Sequence, residues 1–391
     1  MVAWDKVRRN ESEMQNLLLL AALALTSSAA QAADQRPRAR DAGITFGVLP
    51  AGPLNAITDV AGVKVGQVTI IEGKSIRTGV TAILPHSGNV YQDKVPAGFS
   101  VGNAYGKFMG STQIKELGEI ETPIVLTNTL NVPEAAAGTV EWTLKQPGNE
   151  QVRSVNAIVG ETNDGYLNDI RARRVKPSDA LAAIEAAKTG PVQEGAVGAG
   201  TGTVAFSWKG GIGTSSRKLP ASLGGWTVGV LVQTNYGGLL QVAGVPVGQA
   251  LGKYYLKDEL SKASADGSCI VVIATDAPLS DRNLERLAHR GLLGIVRTGS
   301  PMTNGSGEYA IAFSTNLDVR RTAERRSKPS AITDLPNDQM SPLFEAAVEA
   351  AEEAAINSMF AATPMDGDQS HHIDALPIEE VVKLYRRSRG Q

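Results

Sequence analysis

The sequence predicts one α/β domain built of layers. Runs rich in β-branched residues alternate with amphipathic or alanine-rich helical segments, and no linker or internal repeat divides the chain. Of its 391 residues, 42% are hydrophobic and 41 are glycine, whereas only 5% are aromatic. A chain of this length and composition can bury a substantial core, and its glycines favour tight turns around a sheet-rich interior.

The first strands and the first helix follow from local patterns. Residues 63–71 and 124–126 are β-branched runs bounded by turn residues, which predicts strands. A helix is predicted over 177–188, because Pro177 suits a first helical turn and a glycine follows the segment. The glycine-rich stretch 195–217 lacks the Gly-Lys-Ser/Thr ending of a P-loop, so it predicts tight turns near a site rather than a nucleotide cradle.

A polar loop meets a buried strand at Gly267 and Ser268. The run 227–233 predicts a strand that delivers polar residues to its far end. Residues 255–267 are polar and predict an exposed loop, whereas 269–274 are continuously apolar, as in a strand covered on both faces. The junction therefore lies where a solvent-exposed segment enters the core.

The C-terminal third predicts two helices and a strand. A helix is expected from about 280 to 293, and 309–315 alternates as a strand does. Ser341 is expected to cap a long alanine-rich helix that begins at Pro342. The apolar stripe expected to face the core consists of Phe344, Val348, Ala351, Ala355 and Met359.

The N-terminus has the pattern of a secretory signal. Basic residues precede an apolar run at 17–25, and the small residues at 30–32 fit cleavage before Ala33. The run is too short to stay in a membrane as a helix, so we expect export to the periplasm. Both Met1 and Met14 precede the run, and either start predicts export. The basic residues are Lys6, Arg8 and Arg9.

The charge balance and the cysteine count limit which partners and which covalent cross-links the protein can have. Lys and Arg number 38 and Asp and Glu 40, which gives a net charge of -2. This balance lacks the basic surplus that nucleic acid or an anionic membrane attracts, so neither is expected as a partner. Cys269 is the single cysteine, which rules out an intramolecular disulfide.

The motifs that the sequence lacks exclude several kinds of catalytic site. The histidines occur in no H-E-x-x-H or triad-like setting, and no G-x-S-x-G elbow joins a strand to a helix, so no metal site and no histidine base are indicated. The four histidines of the sequence are His86, His289, His371 and His372. An N-terminal serine can use its own α-amine as a base, since the pKa of that amine is about 7.7 to 8.0. Gly267 permits open approach of the Ser268 hydroxyl to its carbonyl, although a Gly-Ser pair before a strand is more often a turn.

Seven separated stretches form a recognisable set: NAITDVAGVKVG (55–66), RTGVTAILP (77–85), ETNDGYLNDI (161–170), GGIGTSSR (210–217), VGVLVQTNYG (228–237), DGSCIVVIATDAPL (266–279) and RTGSPMTNGSGEYAIAFST (297–315). In this order they resemble the DmpA-like family, which comprises L-aminopeptidase/D-amidase/esterase enzymes and β-peptidyl aminopeptidases. The likeness covers essentially all of the chain after the signal. The general match and the expected export favour the β-peptidyl aminopeptidase branch.

The resemblance implies a four-layer αββα sandwich and a precursor that cuts itself between Gly267 and Ser268. Residues 1–32 would be the signal, 33–267 an α chain and 268–391 a β chain of one catalytic domain. The resemblance further implies a homo-oligomer of αβ heterodimers, such as a tetramer of heterodimers. It implies no metal and no organic cofactor.

The same resemblance assigns the catalytic residues. It makes Ser268 the nucleophile, Ser306 a second serine and Glu308 its acidic partner, which would tune proton transfer at the Ser268 amine. Two residues apart at the start of a strand, Ser306 and Glu308 can share one face. Asn235 matches the oxyanion donor, because a side-chain amide at a strand end can stabilise a tetrahedral intermediate. Without the resemblance, a glycine-rich turn, a solvent-facing strand end and a turn-forming asparagine would be the simpler interpretations.

Two substrate contacts are also implied by the resemblance. Glu161 matches the residue that receives the ammonium group of the substrate, which would explain a preference for free N-termini through charge pairing in a confined pocket. Asn163 stands where relatives carry an aromatic side chain, so the residue preference of this pocket stays open.

We therefore expect an exported, self-processing aminopeptidase that acts through an acyl-enzyme. It would release N-terminal residues, above all β-amino acids such as β-alanyl residues, from small peptides, amides and esters, although α-peptides and D-amides fit the same machinery. One alternative is an endo-amidase of the nylon-oligomer hydrolase type, which would not require a free amine on its substrate. Another is an uncleaved periplasmic binding protein on the same scaffold.

Overall fold

A computed structural model describes residues 36–257 and 267–391 of the chain. The predicted signal, 1–32, lies outside the described residues, as does most of the predicted polar loop, 255–267. Within the described ranges, Arg38–Gln391 forms one compact unit.

Strands and helices alternate along the described residues. The strands are β1 (Lys64–Glu72), β2 (Ile76–Leu84), β3 (Asp93–Ala104), β4 (Phe108–Met109), β5 (Glu119–Ile120), β6 (Ile124–Asn128), β7 (Ile158–Thr162), β8 (Val204–Ala205), β9 (Trp208–Lys209), β10 (Ile212–Lys218), β11 (Thr227–Asn235), β12 (Ser268–Thr275), β13 (Gly307–Ser314), β14 (Arg321–Thr322), β15 (Met365–Asp366) and β16 (His372–Ile373). The α-helices are α1 (Ser111–Leu117), α2 (Val132–Leu144), α3 (Pro177–Glu185), α4 (Val247–Ala250), α5 (Asp281–Arg297), α6 (Ala323–Arg326), α7 (Ser341–Ala361) and α8 (Ile378–Ser388). None of these helices is both long and apolar enough to cross a membrane.

Most of the strands belong to two large sheets. One sheet has the order β1-β2-β6-β7-β4, and the other has the order β10-β11-β12-β13-β3-β14 with β5 paired to β3. Two neighbouring pairs are parallel, β6 with β7 and β12 with β13. Each parallel pair is joined by a crossover helix, α2 in the first sheet and α5 in the second, as parallel strands require.

Buried side chains divide into three clusters that define four layers. One cluster lies between the two sheets and includes Ile124, Leu231 and Ile311. Another joins the second sheet to α5 and α7, and the third joins the first sheet to α2 and α3. The order of helices, sheet, sheet and helices confirms the predicted αββα sandwich.

Most predicted elements are confirmed, with shifted ends. Strands β1 and β6 overlap the two β-branched runs, and β11 extends two residues beyond its predicted end to Asn235. Helix α3 stops at Glu185, short of the predicted end, whereas α5 continues to Arg297. Strand β13 does not show a half-buried pattern, because all of its residues are buried beneath layers on both faces.

The long helix α7 corrects two predictions. Met340 already has helical backbone angles, φ -77° and ψ -27°, so Ser341 falls inside the first turn and does not act as the N-cap. The predicted apolar stripe is only part of the buried surface, because burial extends around most of the helix. Phe344 and Val348, in contrast, are only partly buried.

Candidate active site

Ser268 is the first residue of β12 and lies between the ends of two neighbouring strands. In the ladder it is paired with Asn235 at the end of β11 and with Gly307 at the start of β13. The strand forms because the residues of Ser268–Thr275 are all buried between the layers. Ser268 also lines a cavity, so its side chain can contact a small molecule although the strand that carries it is buried.

The Gly267 carbonyl accepts hydrogen bonds from two donors. The Ser268 hydroxyl donates to the Gly267 oxygen at 2.5 Å, and the Gly307 N–H donates to the same oxygen at 3.2 Å. A Cβ atom at position 267 would lie 2.0 Å from the Asn235 carbonyl oxygen, so only glycine fits beside β11. The peptide bond between Gly267 and Ser268 thus has a hydroxyl beside it, a polarised carbonyl and no side chain that would block attack.

The Asn235 side chain is oriented by a backbone group from another part of the chain. Its Oδ1 accepts the Val204 N–H at 3.0 Å, which leaves the NH2 group as the donor side of the amide. Asn235 lines the same cavity as Ser268. A side-chain N–H donor at this position is chemically suited to stabilising an oxyanion.

Ser306 and Glu308 contact each other at the start of β13, as their spacing allowed, and they flank Gly307, the ladder partner of Ser268. Both side chains are buried, and the Ser306 hydroxyl donates to Glu308 Oε1. Asn103 of β3 holds the preceding turn, since its Nδ2 donates to the Thr303 carbonyl at 2.9 Å and also to the Ser306 carbonyl. Glu308 Oε2 is buried and makes no hydrogen bond to the described residues. Burial raises the pKa of Glu308 to about 7.

Replacing Glu308 with glutamine is expected to stabilise the uncleaved protein at high pH. Burial raises the pKa of Glu308 above the unfolded value of about 4.3, so ionisation destabilises the fold as pH rises from about 5 through 7. Glutamine does not titrate. In a Ser268→Ala background, which prevents release of an α-amine, the melting temperature of Glu308→Gln should exceed that of its parent at pH 8. The difference should shrink at pH 5, and a gap that does not change with pH would contradict the assignment.

Glu161 lies at the end of β7 and is buried at the base of the cavity. Its Oε1 accepts the Lys107 N–H at 3.1 Å and pairs with Lys107 Nζ at 3.2 Å, while the Thr129 hydroxyl donates to its Oε2. The Lys107 side chain is about half exposed, at 49%. The carboxylate is therefore held in place by the protein and faced by a cation that can move toward solvent.

Asn163 also lines the cavity, but its side-chain amide oxygen accepts a hydrogen bond from a neighbouring residue of the chain. The side-chain Oδ1 accepts the Gly165 N–H at 2.9 Å, which is the geometry of an asparagine turn. Asn163 is exposed and lines the cavity near Glu161. Its position agrees with the prediction of a substrate-facing residue, and its role stays a prediction.

The cavity has a volume of about 840 Å³ and both polar and apolar walls. Ser268, Asn235 and Glu161 supply polar groups, whereas Tyr166 and Phe206 supply aromatic surface. Its lining consists of Tyr105, Gly106, Thr129, Glu161, Asn163, Tyr166, Val204, Phe206, Ser207, Asn235, Tyr236, Gly237, Gly267, Ser268, Asn304, Gly305 and Ile373. A small molecule with a charged end and an apolar end fits such a site.

No histidine is found among the described residues that line the cavity. His86 is buried elsewhere, with Nε2 2.8 Å from the Asp93 carbonyl and Nδ1 accepting the Gly88 N–H at 3.1 Å. Over 36–257 and 267–391, His, Cys, Asp and Glu side chains form no group that could hold a metal.

Three contacts of the site were not predicted from the sequence. Lys107 and Val204 lie 54 and 31 residues from the side chains that they contact, so spacing along the chain carries no signal for them. Phe206 reaches the cavity on the hairpin formed by β8 and β9. The glycine-rich stretch 195–217 was the one local sign of this hairpin, and its interpretation as tight turns holds up to residue 211, whereas 212–217 belong to the buried strand β10.

Comparisons with known proteins identify the family of the chain. The family model of peptidase family S58 matches residues 55–373. The β-peptidyl aminopeptidase BapA of Sphingosinicella microcystinivorans is 41% identical over 385 residues, which covers 92% of this chain and 95% of the relative. BapA of Sphingosinicella xenopeptidilytica is 39% identical, with coverage of 95% and 96%.

Solved structures show the same architecture. A β-aminopeptidase from a Burkholderia species has a TM-score of 0.82 and 39% identity, with 90% of this chain and 99% of that chain covered. The L-aminopeptidase D-Ala-esterase/amidase of Ochrobactrum anthropi, described as a new variant of the Ntn hydrolase fold, has a TM-score of 0.82 and 38% identity, with coverage of 91% and 99%. The chain therefore belongs to peptidase family S58, the DmpA-like family that its sequence resembles.

Proposed function

We propose that this chain is an exported precursor that cleaves its Gly267–Ser268 bond and then acts as a β-peptidyl aminopeptidase. The observation that carries the proposal is the Ser268 hydroxyl, which lies 2.5 Å from the Gly267 oxygen at the start of a buried strand. The names of the BapA relatives support the substrate class. Export through residues 1–32 and assembly into oligomers of αβ heterodimers are part of the same proposal.

In the cleavage step, Ser268 Oγ attacks the Gly267 carbonyl carbon. An Oγ–C bond forms, the C–N bond breaks, and the nitrogen of Ser268 takes up the proton, so an ester and a free α-amine result. Water then hydrolyses the ester, which leaves a carboxylate on Gly267 and an N-terminal Ser268. The Gly307 N–H, 3.2 Å from the Gly267 oxygen, supports negative charge on that oxygen during attack.

In the peptidase step, the same hydroxyl attacks the carbonyl carbon of the substrate. The new α-amine of Ser268 takes the Oγ proton while an Oγ–C bond forms, and the Asn235 NH2 group stabilises the oxyanion. The C–N bond then breaks as the α-ammonium returns the proton to the leaving amine, and water hydrolyses the ester to free the acid and the Ser268 hydroxyl. Glu308 Oε2, which is buried without a hydrogen-bond partner among the described residues, is available to the amine that cleavage releases. Its carboxylate would keep that amine in place for proton transfer.

Substrate recognition would rest on Glu161. A substrate ammonium group would pair with this buried carboxylate and displace the half-exposed Lys107 toward solvent. An N-acetylated substrate has no such charge, so an aminopeptidase should reject it. The distance between the ammonium site and Ser268 then decides whether an α- or a β-amino acid places its carbonyl at the hydroxyl.

Intact-mass analysis and N-terminal sequencing test the cleavage. Purified wild-type protein is expected to consist of two fragments, one of which begins Ser-Cys-Ile-Val. If the folded, soluble chain stays whole, Ser268 has no free α-amine that could act as the base. The alternative of an uncleaved binding protein would then be favoured.

A substrate series tests the activity. Initial rates are measured for β-alanyl, L-alanyl and N-acetyl-β-alanyl p-nitroanilide under identical conditions. Fastest release from the β-alanyl amide and none from the acetylated amide would support the proposal. Comparable hydrolysis of the acetylated amide would instead identify an endo-amidase.

A further inference from the structure

Lys209 is a fully buried lysine whose ammonium group contacts backbone carbonyls. Its Nζ donates to the carbonyl oxygens of Gly200 at 3.0 Å, Thr203 at 2.8 Å and Gly210 at 2.8 Å. Lysines are almost never fully buried unless they are paired, and here the buried carboxylate of Asp164 acts on the ammonium group through charge attraction without a direct hydrogen bond. All three of its N–H donors are thus used to hold backbone in place.

The backbone held by Lys209 is the hairpin of β8 and β9. Lys209 is the direct ladder partner of Val204, and the two residues of the turn, Phe206 and Ser207, both have positive φ values of 51° and 66°. Left-handed backbone at two successive non-glycine residues is strained, and it persists only where surrounding contacts enforce it. The bond from Lys209 to the Thr203 carbonyl fixes the residue immediately before Val204.

The Val204 N–H is also the group that orients the Asn235 amide. It donates to Asn235 Oδ1 at 3.0 Å, so a shift of this N–H would let the amide rotate. An oxyanion donor acts only when its nitrogen lies within hydrogen-bond distance of the position that the oxygen will occupy. The chain of contacts from Lys209 through Thr203 and Val204 to Asn235 therefore connects a buried cation to the cavity.

We propose that Lys209 is a positioning residue for the oxyanion donor, which it controls by holding the Thr203–Val204 backbone against Asn235. The inference rests on the proposed catalytic role of Asn235. Lys209 does not line the cavity and does not contact the substrate.

Burial opposes the charge of Lys209. It lowers the pKa of Lys209 to about 7, while the Asp164 carboxylate favours the charged form, and only that form has the three N–H donors that the three carbonyls accept. Methionine has similar length and no such desolvation cost, so a purely space-filling role would be met better by methionine.

The first test compares Lys209→Met with Lys145→Met, an exposed lysine at the end of α2 that serves as the control. Lys209→Met should lower kcat on β-alanyl p-nitroanilide about 10- to 100-fold with little change in KM, because misplacement of a catalytic group by about 1 Å has effects of this size. The control should keep wild-type values. Rates are normalised to the cleaved fraction, and thermal melts establish that each variant is folded.

A double-mutant cycle shows whether Lys209 acts through Asn235. Asn235→Ala alone is expected to lower kcat about 10²- to 10³-fold, and adding Lys209→Met should lower it no further, because the amide to be positioned is gone. Additive losses would overturn the positioning role while leaving that of Asn235 intact. An unchanged kcat in Asn235→Ala would instead refute the proposed oxyanion donor. Lys209→Gln, which keeps two donors, replaces the methionine variant in the cycle if the latter does not fold or cleave.

Inhibitor binding gives an independent result. The affinity for 2-aminoethylboronic acid, which mimics the tetrahedral intermediate, should fall in Lys209→Met by the same factor as kcat/KM. The affinity for propylamine, which carries the ammonium group but no oxygen that could accept from Asn235, should stay within about twofold, since uniform binding is untouched. Equal losses for both molecules would mean that Lys209 only maintains the shape of the cavity, and would overturn the inference.

Discussion

Ser268→Ala is expected to remain one uncleaved chain and to hydrolyse β-alanyl amides at least about 10⁴-fold more slowly than the wild-type protein. The substitution removes the hydroxyl that lies 2.5 Å from the Gly267 carbonyl oxygen and is the proposed attacking group. It also removes the proposed nucleophile of the peptidase step, and without cleavage no α-amine would form.

Two measurements check this expectation. Intact mass should show the full precursor, and p-nitroaniline release should fall to the level of a blank. Ser330→Ala, in an exposed loop, is the matched control and should be cleaved and active like wild type. Cleavage or strong activity in folded Ser268→Ala would mean that another residue is the nucleophile.

Glu161→Gln is expected to lower kcat/KM for substrates with a free amine by roughly 30- to 5,000-fold, the range for truncating one partner of a buried charge pair. Glutamine has the same shape and can still accept the hydrogen bond of Thr129, so the loss would report the missing charge. Lys107 would lose its partner, but its half-exposed ammonium group can be solvated.

Selectivity distinguishes a binding role of Glu161 from a structural one. Any residual rate on N-acetyl-β-alanyl p-nitroanilide should be unchanged in Glu161→Gln, so the preference for the free amine should collapse. Glu345→Gln, at an exposed position of α7, is the matched control. A Glu161→Gln variant that loses both activities equally would show that the carboxylate supports the fold and does not recognise the ammonium group.

Much of the fold was predictable because its elements have strong local patterns. The apolar run 269–274 predicted a strand buried on both faces, and it is the centre of β12. The Ser306 and Glu308 pair was also predictable, since alternation along a strand places residues two apart on the same face. Helix ends were less certain. Met340 has helical backbone angles one residue before the expected N-cap, because packing outweighs the local preference of Ser341 for the N-cap position.

Buried charges were not predictable from local pattern. Glu349 in α7 resembles a solvent-facing residue in the sequence, yet it is fully buried and pairs with buried Arg217 at 2.8 Å. A glutamate in a helix is normally exposed, and only a cation from a distant strand makes its burial tolerable. Helix α7 is therefore enclosed more completely than its apolar stripe indicated.

By itself, the sequence predicted the layered α/β class, the buried strand that follows Gly267 and, through family resemblance, the set of candidate site residues. Only the tertiary structure decided that Lys107 faces Glu161, that Val204 orients Asn235, and that Lys209 is buried against three carbonyls. The physical reason is that periodicity reports which face of an element is buried. Which polar groups meet across the layers depends instead on strand order and register, and these are settled by the packing of the whole chain.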